Sequence, residues 1–97
     1  MARIETVKPI VGNTTVLFAN LGRTRYIVAG DFSGGTITVL SHSQAQDISV
    51  IVPDITPFTA NTVIYSDDPF LQFSMAGGGA ADVTVSSTPI ISLDRGA

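Results

Sequence analysis

Short runs in which apolar side chains alternate with Ser and Thr dominate this chain. In Thr36-Ile37-Thr38-Val39-Leu40-Ser41, Ile37 and Val39 point one way and the threonines the other, because successive strand side chains face opposite sides of a sheet. The same period of two sets Leu71, Phe73 and Met75 against Gln72 and Ser74, and Val83 and Val85 against Asp82, Thr84 and Ser86. It also sets Ile48, Val50 and Val52 against Asp47, Ser49 and Ile51. No stretch keeps apolar residues at i, i+3, i+4 and i+7 through two turns, so helices longer than one turn are not expected. Ten Val, ten Ile and eleven Thr, punctuated by Gly, Pro, Asn, Asp and Ser, predict strands over residues 3–11, 15–19, 23–29, 35–41, 47–52, 61–65, 70–75 and 82–92. The expected fold is all-β: an antiparallel β-sandwich or jelly roll of seven to eight short strands, its sheets facing each other across about 10 Å.

The first thirty residues depart from this alternation. Val16-Leu17-Phe18-Ala19, Arg25-Tyr26-Ile27-Val28-Ala29 and Ile10-Val11 are apolar on both faces, so a second surface needs cover, and another subunit is expected to supply it. The expected contact residues are Ile4, Val7, Ile10 and Val11, then Leu17, Phe18 and Tyr26, with Arg23 and Arg25 as partners for acidic groups. Turns fit the scheme: Asn20-Leu21-Gly22 joins two apolar runs, and Gly34-Gly35 opens the central strand, both using backbone angles that Gly and Asn adopt cheaply. Pro53, Pro57 and Pro69 fall at strand ends, where a missing donor does no harm. Residues 53–60 form the longest irregular stretch and are expected to cross between sheets.

Length and composition narrow the class. Ninety-seven residues suit one domain, residues 1–97, with 1–12 as an N-terminal arm. Charged residues make up 13 % of the chain and hydrophobic ones 44 %, against a usual charged share of about 25 %. Apolar runs reach only four residues, as in Val16-Leu17-Phe18-Ala19, far short of the roughly 20 that span a bilayer, so no membrane partner is expected. Arg3-Ile4-Glu5-Thr6-Val7-Lys8-Pro9 interleaves charge and ends in proline, unlike a secretory leader; assembly in a cytoplasm is expected. A net charge of −3 disfavours nucleic acid, whose phosphates need clustered Lys and Arg. The charge is uneven: Arg3, Lys8, Arg23 and Arg25 precede residue 31, whereas residues 31–93 hold six aspartates and no Lys or Arg.

Chemistry-bearing residues are sparse. His42, the only histidine, sits in the polar stretch Ser41-His42-Ser43-Gln44-Ala45-Gln46-Asp47, expected to be a hairpin loop. No Gly-x-Ser-x-Gly elbow accompanies it, so no catalytic triad is expected. With no cysteine in the chain, disulfides, thiol chemistry and thiolate metal sites are excluded. Asp67-Asp68 in Tyr65-Ser66-Asp67-Asp68-Pro69 reads as a turn whose aspartates bond their own backbone rather than a calcium loop, which needs six or more converging oxygens. Gly77-Gly78-Gly79 lacks the Lys-Ser/Thr of a phosphate loop and reads as a flexible hairpin tip. No cofactor and no metal are expected.

Over residues 30–91, Gly30-Asp31-Phe32-Ser33-Gly34-Gly35-Thr36-Ile37-Thr38-Val39, a polar loop, a strand, a Pro/Thr-rich crossover, Phe70-Leu71-Gln72-Phe73-Ser74-Met75, a Gly-rich tip and Asp82-Val83-Thr84-Val85 resemble in rhythm small β-sandwich virion modules of tailed phages, the capsid decoration or cement proteins. The resemblance implies a non-enzymatic protein of the capsid surface, a homotrimer whose other partner is the major capsid protein. The competing expectation is a carbohydrate- or receptor-binding module of a phage fibre or tail, with residues 77–81, Asp67-Asp68 and His42 lining its site.

Overall fold

A computed structural model of the chain describes residues 5–20, 22–53 and 57–90. Eight strands carry the fold: β1 (Thr6–Val11), β2 (Thr15–Ala19), β3 (Thr24–Asp31), β4 (Thr36–Ser43), β5 (Ile48–Ile51), β6 (Thr62–Ser66), β7 (Phe70–Ala76) and β8 (Asp82–Pro89). They form two antiparallel four-stranded sheets, β1-β8-β3-β6 and β2-β7-β4-β5. Each strand pairs with its mirror in sequence: β1 with β8, β2 with β7, β3 with β6, β4 with β5. The β3–β8 and β4–β7 pairings join these couples into sheets. This winding, as though one long hairpin had been rolled up, is the eight-stranded jelly roll.

The core lies where the alternation places it. Ile37 and Val39, Leu71, Phe73 and Met75, and Val83 and Val85 are all buried between the sheets. Phe18 on β2, Tyr26 on β3 and Phe73 on β7 form an aromatic triad at its centre. Phe18 meets the other two rings edge-on, at 5.5 Å from Tyr26 and 5.8 Å from Phe73. The remaining pair, Tyr26 and Phe73, lies at 5.3 Å.

Two local expectations are corrected. The alternation of residues 47–52 suggested a half-buried strand, yet all four residues of β5 are exposed, with Ile48 at 49 %, Val50 at 61 % and Ile51 at 55 %. Overhang accounts for part of it: β4 pairs with β7 only from Thr36 to Ser41, so the rungs His42–Ser49 and Ser43–Ile48 project past the third strand, while Ile51 shares the outward row of Leu40 and Val50 stands on the edge strand; Val52 alone of the expected inward set packs against the core. His42 belongs to β4 rather than to a loop, its Nδ1 2.9 Å from the Ser49 Oγ.

The Gly-rich turn is a packed joint rather than a free tip. Gly78 is buried, and its N–H donates to Asn13 Oδ1 at 2.8 Å. A Cβ there would stand 2.8 Å from the Phe32 carbonyl oxygen and 2.9 Å from Met75 Sδ. The β1–β2, β3–β4 and β7–β8 turns therefore lock together at one end of the sandwich. The opposite end gathers β2–β3, β4–β5 and β6–β7, tied by Asn20 N–H donating to the Pro69 carbonyl at 2.9 Å.

The edge strand β1 carries its own protection. Pro9 removes a donor from the edge, and Lys8 points inward, where its Nζ donates to the Leu17 carbonyl and lies 5.1 Å from the centre of the Phe18 ring. Proline and inward charge both discourage another strand from adding to an edge.

Candidate functional site

The expected contact residues do not form one surface. Ile10, Phe18 and Tyr26 are 0–1 % exposed: they occupy the inward phase of β1, β2 and β3 and belong to the core, so they present nothing to a neighbour. Ile4 lies outside the described residues. Val7, Val11 and Arg25 stand on the outer face of the β1-β8-β3-β6 sheet, whereas Leu17 stands on the outer face of the other. Arg23 sits at the loop end beside Asp67, 3.6 Å away, with both side chains more than half exposed; such pairs contribute little to stability. Its guanidinium also lies 5.8 Å from the centre of the Tyr65 ring.

Register fixes what each outer face displays. Across the β2-β7-β4-β5 sheet, one row runs Leu17–Gln72–Leu40–Ile51. A neighbouring row pairs Ala19 with Phe70 and another runs Thr15–Ser74–Thr38. Among the described residues of these rows none is charged, while Leu17, Leu40, Ile51 and Phe70 are half-buried or exposed. The β1-β8-β3-β6 sheet differs. Its rows run Thr88–Arg25–Tyr65, then Val7–Ser86–Ile27–Val63, then Pro9–Thr84–Ala29, then Val11–Asp82–Asp31. One end of that face is cationic, the other anionic, and the middle is apolar and hydroxylic.

The loop end beside β5 encloses an open groove of about 770 Å³ that brings His42 together with Asp67 and Asp68. Of the two aspartates, Asp68 bonds its own turn and Asp67 instead faces Arg23 at 3.6 Å. Phe70 N–H donates to Asp68 Oδ1 at 3.1 Å and Asp68 N–H to Ser66 Oγ at 3.0 Å, the self-bonded turn expected of Asp68. No group of three metal-ligating side chains assembles among the described residues. Residues 77–81 lie at the other end of the sandwich, so the set expected to line a carbohydrate site is divided between opposite ends. A smaller hollow of about 540 Å³ there is framed by Gly30, Asp31, Ser33 and Asn61.

Burial pushes the Tyr26 hydroxyl above the ordinary 10.0, partly opposed by its hydrogen bond with Asn20. Asn20 Nδ2 donates to that hydroxyl at 2.7 Å. The surface residues that sequence reading missed are Ile27, Val63, Tyr65, Asp31 and Asp82 on one face and Leu40, Ile51 and Phe70 on the other. Alternation gives each residue its side, but only strand pairing shows which residues share a row. Compared with known protein families, curated proteins and solved structures, the chain matches none.

Proposed function

We propose that this protein is a non-enzymatic structural component of a virion, a decoration protein that lies on the capsid surface and stabilises it by bridging capsomers. The observation that carries this reading is the uncharged outer face of the β2-β7-β4-β5 sheet, on which Leu17, Leu40, Ile51 and Phe70 stand among Ser, Thr and Gln. A sheet face without charge loses little by desolvation and gains by covering its apolar groups, which suits docking on a protein shell. The jelly roll is compatible with this use and with others, since a fold by itself selects no function. In mechanism, binding to assembled capsomers but not to separated ones stabilises the assembled state by mass action.

Co-sedimentation with capsids of the phage that encodes the chain tests this. The expected outcome is particle binding that raises the temperature of capsid disruption, and loss of both with Ile51→Lys, which alters the face without touching the core. Absence of binding to such particles overturns it. The second reading, a carbohydrate- or receptor-binding module, draws on the groove that unites His42 with Asp67 and Asp68. Glycan binding abolished by His42→Ala, without capsid binding, would favour it.

A further inference from the structure

We infer that the outer face of the β1-β8-β3-β6 sheet pairs with the same face of a second copy about a two-fold axis, seating Arg25 of each protomer on the Asp31–Asp82 pair of the other. Two features of the isolated chain are left unresolved on this face. Among the described residues Arg25 Nε has no hydrogen-bond partner and Arg25 takes part in no ion pair. Asp31 and Asp82 are directly opposite in the β3–β8 register, an arrangement in which like charges repel.

The positions of these features match. Arg25 and Asp31 lie on the same strand with Val28 midway between them. At a rise of about 3.3 Å per residue they are roughly 20 Å apart. A two-fold axis lying in the interface, crossing the strands at Val28, reverses the rows and keeps the columns. Each Arg25 then stands over the partner's Asp31, and each Ile27 over the partner's Ala29, a large residue against a small one. Thr88 meets the partner's Asp82, a hydroxyl donor against an acceptor. An axis running along the strands would set Arg25 on Arg25 and aspartate on aspartate, so charge selects between the two orientations. The guanidinium Nη groups can donate to a carboxylate as a charge-assisted pair, so the partner's Asp31 gives Arg25 the counter-charge it lacks in the isolated chain.

Four strands spaced by about 4.8 Å and four rows of side chains offer roughly 500 Å² per copy, about 1,000 Å² in total, the lower bound for a specific interface. An interface of that size belongs to the weak, reversible end of specific contacts. This pairing is two-fold where the resemblance implied a threefold assembly, and it does not depend on capsid binding.

Sedimentation equilibrium of the purified chain across the micromolar range tests the pairing without any particle present. The expected result is a monomer–dimer equilibrium that weakens with salt. Arg25→Asp should raise the dissociation constant at least tenfold, and the swap Arg25→Asp/Asp31→Arg should restore it to within about threefold. Ala29→Arg, on an outward position near the axis, should abolish the dimer while the thermal transition persists. A monomer or trimer at all concentrations, a swap that fails to recover, or a dimer that survives Ala29→Arg overturns the inference. Capsid co-sedimentation, measured separately, decides the decoration reading on its own.

Discussion

Phe73 is the residue on which both sheets converge, and its removal is the sharpest test of the packing. Its ring is fully buried and contacts Phe18 at 5.8 Å and Tyr26 at 5.3 Å. Phe→Ala at such a site costs about 3–5 kcal/mol, the transfer of the ring plus the cavity it leaves. A domain of this size holds roughly 5–15 kcal/mol in all, so Phe73→Ala should consume about a fifth or more of the total. At about 4–8 °C per kcal/mol for a domain near 100 residues, the midpoint falls by at least about 12 °C. Phe73→Leu keeps most of the bulk and should cost only about 1.5 kcal/mol. The edge-on geometry with Phe18, 84° between planes, adds a second expectation. A double-mutant cycle with Phe18→Leu and Phe73→Leu should show a coupling of about 0.5–1.5 kcal/mol beyond additivity. Urea unfolding followed by circular dichroism measures all of these through the midpoint at constant slope. A loss below about 1 kcal/mol for Phe73→Ala, when the 3–5 kcal/mol range applies to buried aromatics, would refute the placement of the triad at the centre of the core.

Tyr26→Phe removes the acceptor for Asn20 Nδ2 and should cost about 0.5–1.5 kcal/mol at neutral pH. Because burial raises the folded-state pKa of Tyr26 above 10.0, its contribution is fully present below that value and is lost as pH rises through the folded pKa. Wild type should therefore lose stability above pH 10 more steeply than Tyr26→Phe; equal slopes in alkaline urea titrations would contradict the burial of the hydroxyl. Gly78→Val forces a branched side chain against the Phe32 carbonyl and Met75 and should cost about 1–3 kcal/mol by overpacking. Gly79→Val, where a Cβ meets nothing within 4 Å, should move the thermal midpoint far less, and equal shifts would show the turn to be unpacked.

The inward phases of β4, β7 and β8 could be read directly because each carries an uninterrupted period of two. The phase of β3 was hidden, since Ile27 and Ala29 are apolar on its outer side while Tyr26 and Val28 fill the inner one. Ile48 and Val50 show the opposite failure: they alternate as core residues do and Val52 does pack on the core, but Ile48 lies on a rung beyond the reach of β7 and Val50 on an edge strand, and alternation carries neither fact. Gly77-Gly78-Gly79 was misread because its neighbours, Asn13 and Phe32, arrive from turns far away in sequence. The Asp31–Asp82 pairing was equally invisible. Single residues carry a side but not a neighbour, so the expected interface in the N-terminal third was divided once β1, β2 and β3 were assigned to different sheets.

The mirrored pairing of strands also sets a timetable for the nascent chain. Only the β4–β5 hairpin joins strands adjacent in sequence, whereas Thr6 must wait for Ser87 and Val11 for Asp82. Hairpin closure takes microseconds, but the outermost pairing requires the whole intervening chain, which a ribosome adding about 5–20 residues per second delivers some 4–14 s after β1 emerges. Through that interval β1 has no partner strand, and the features that guard its edge, Pro9 and the charge on Lys8, are in place from the moment it is made. Of these eight strands, the earliest made is the one whose partner is made last.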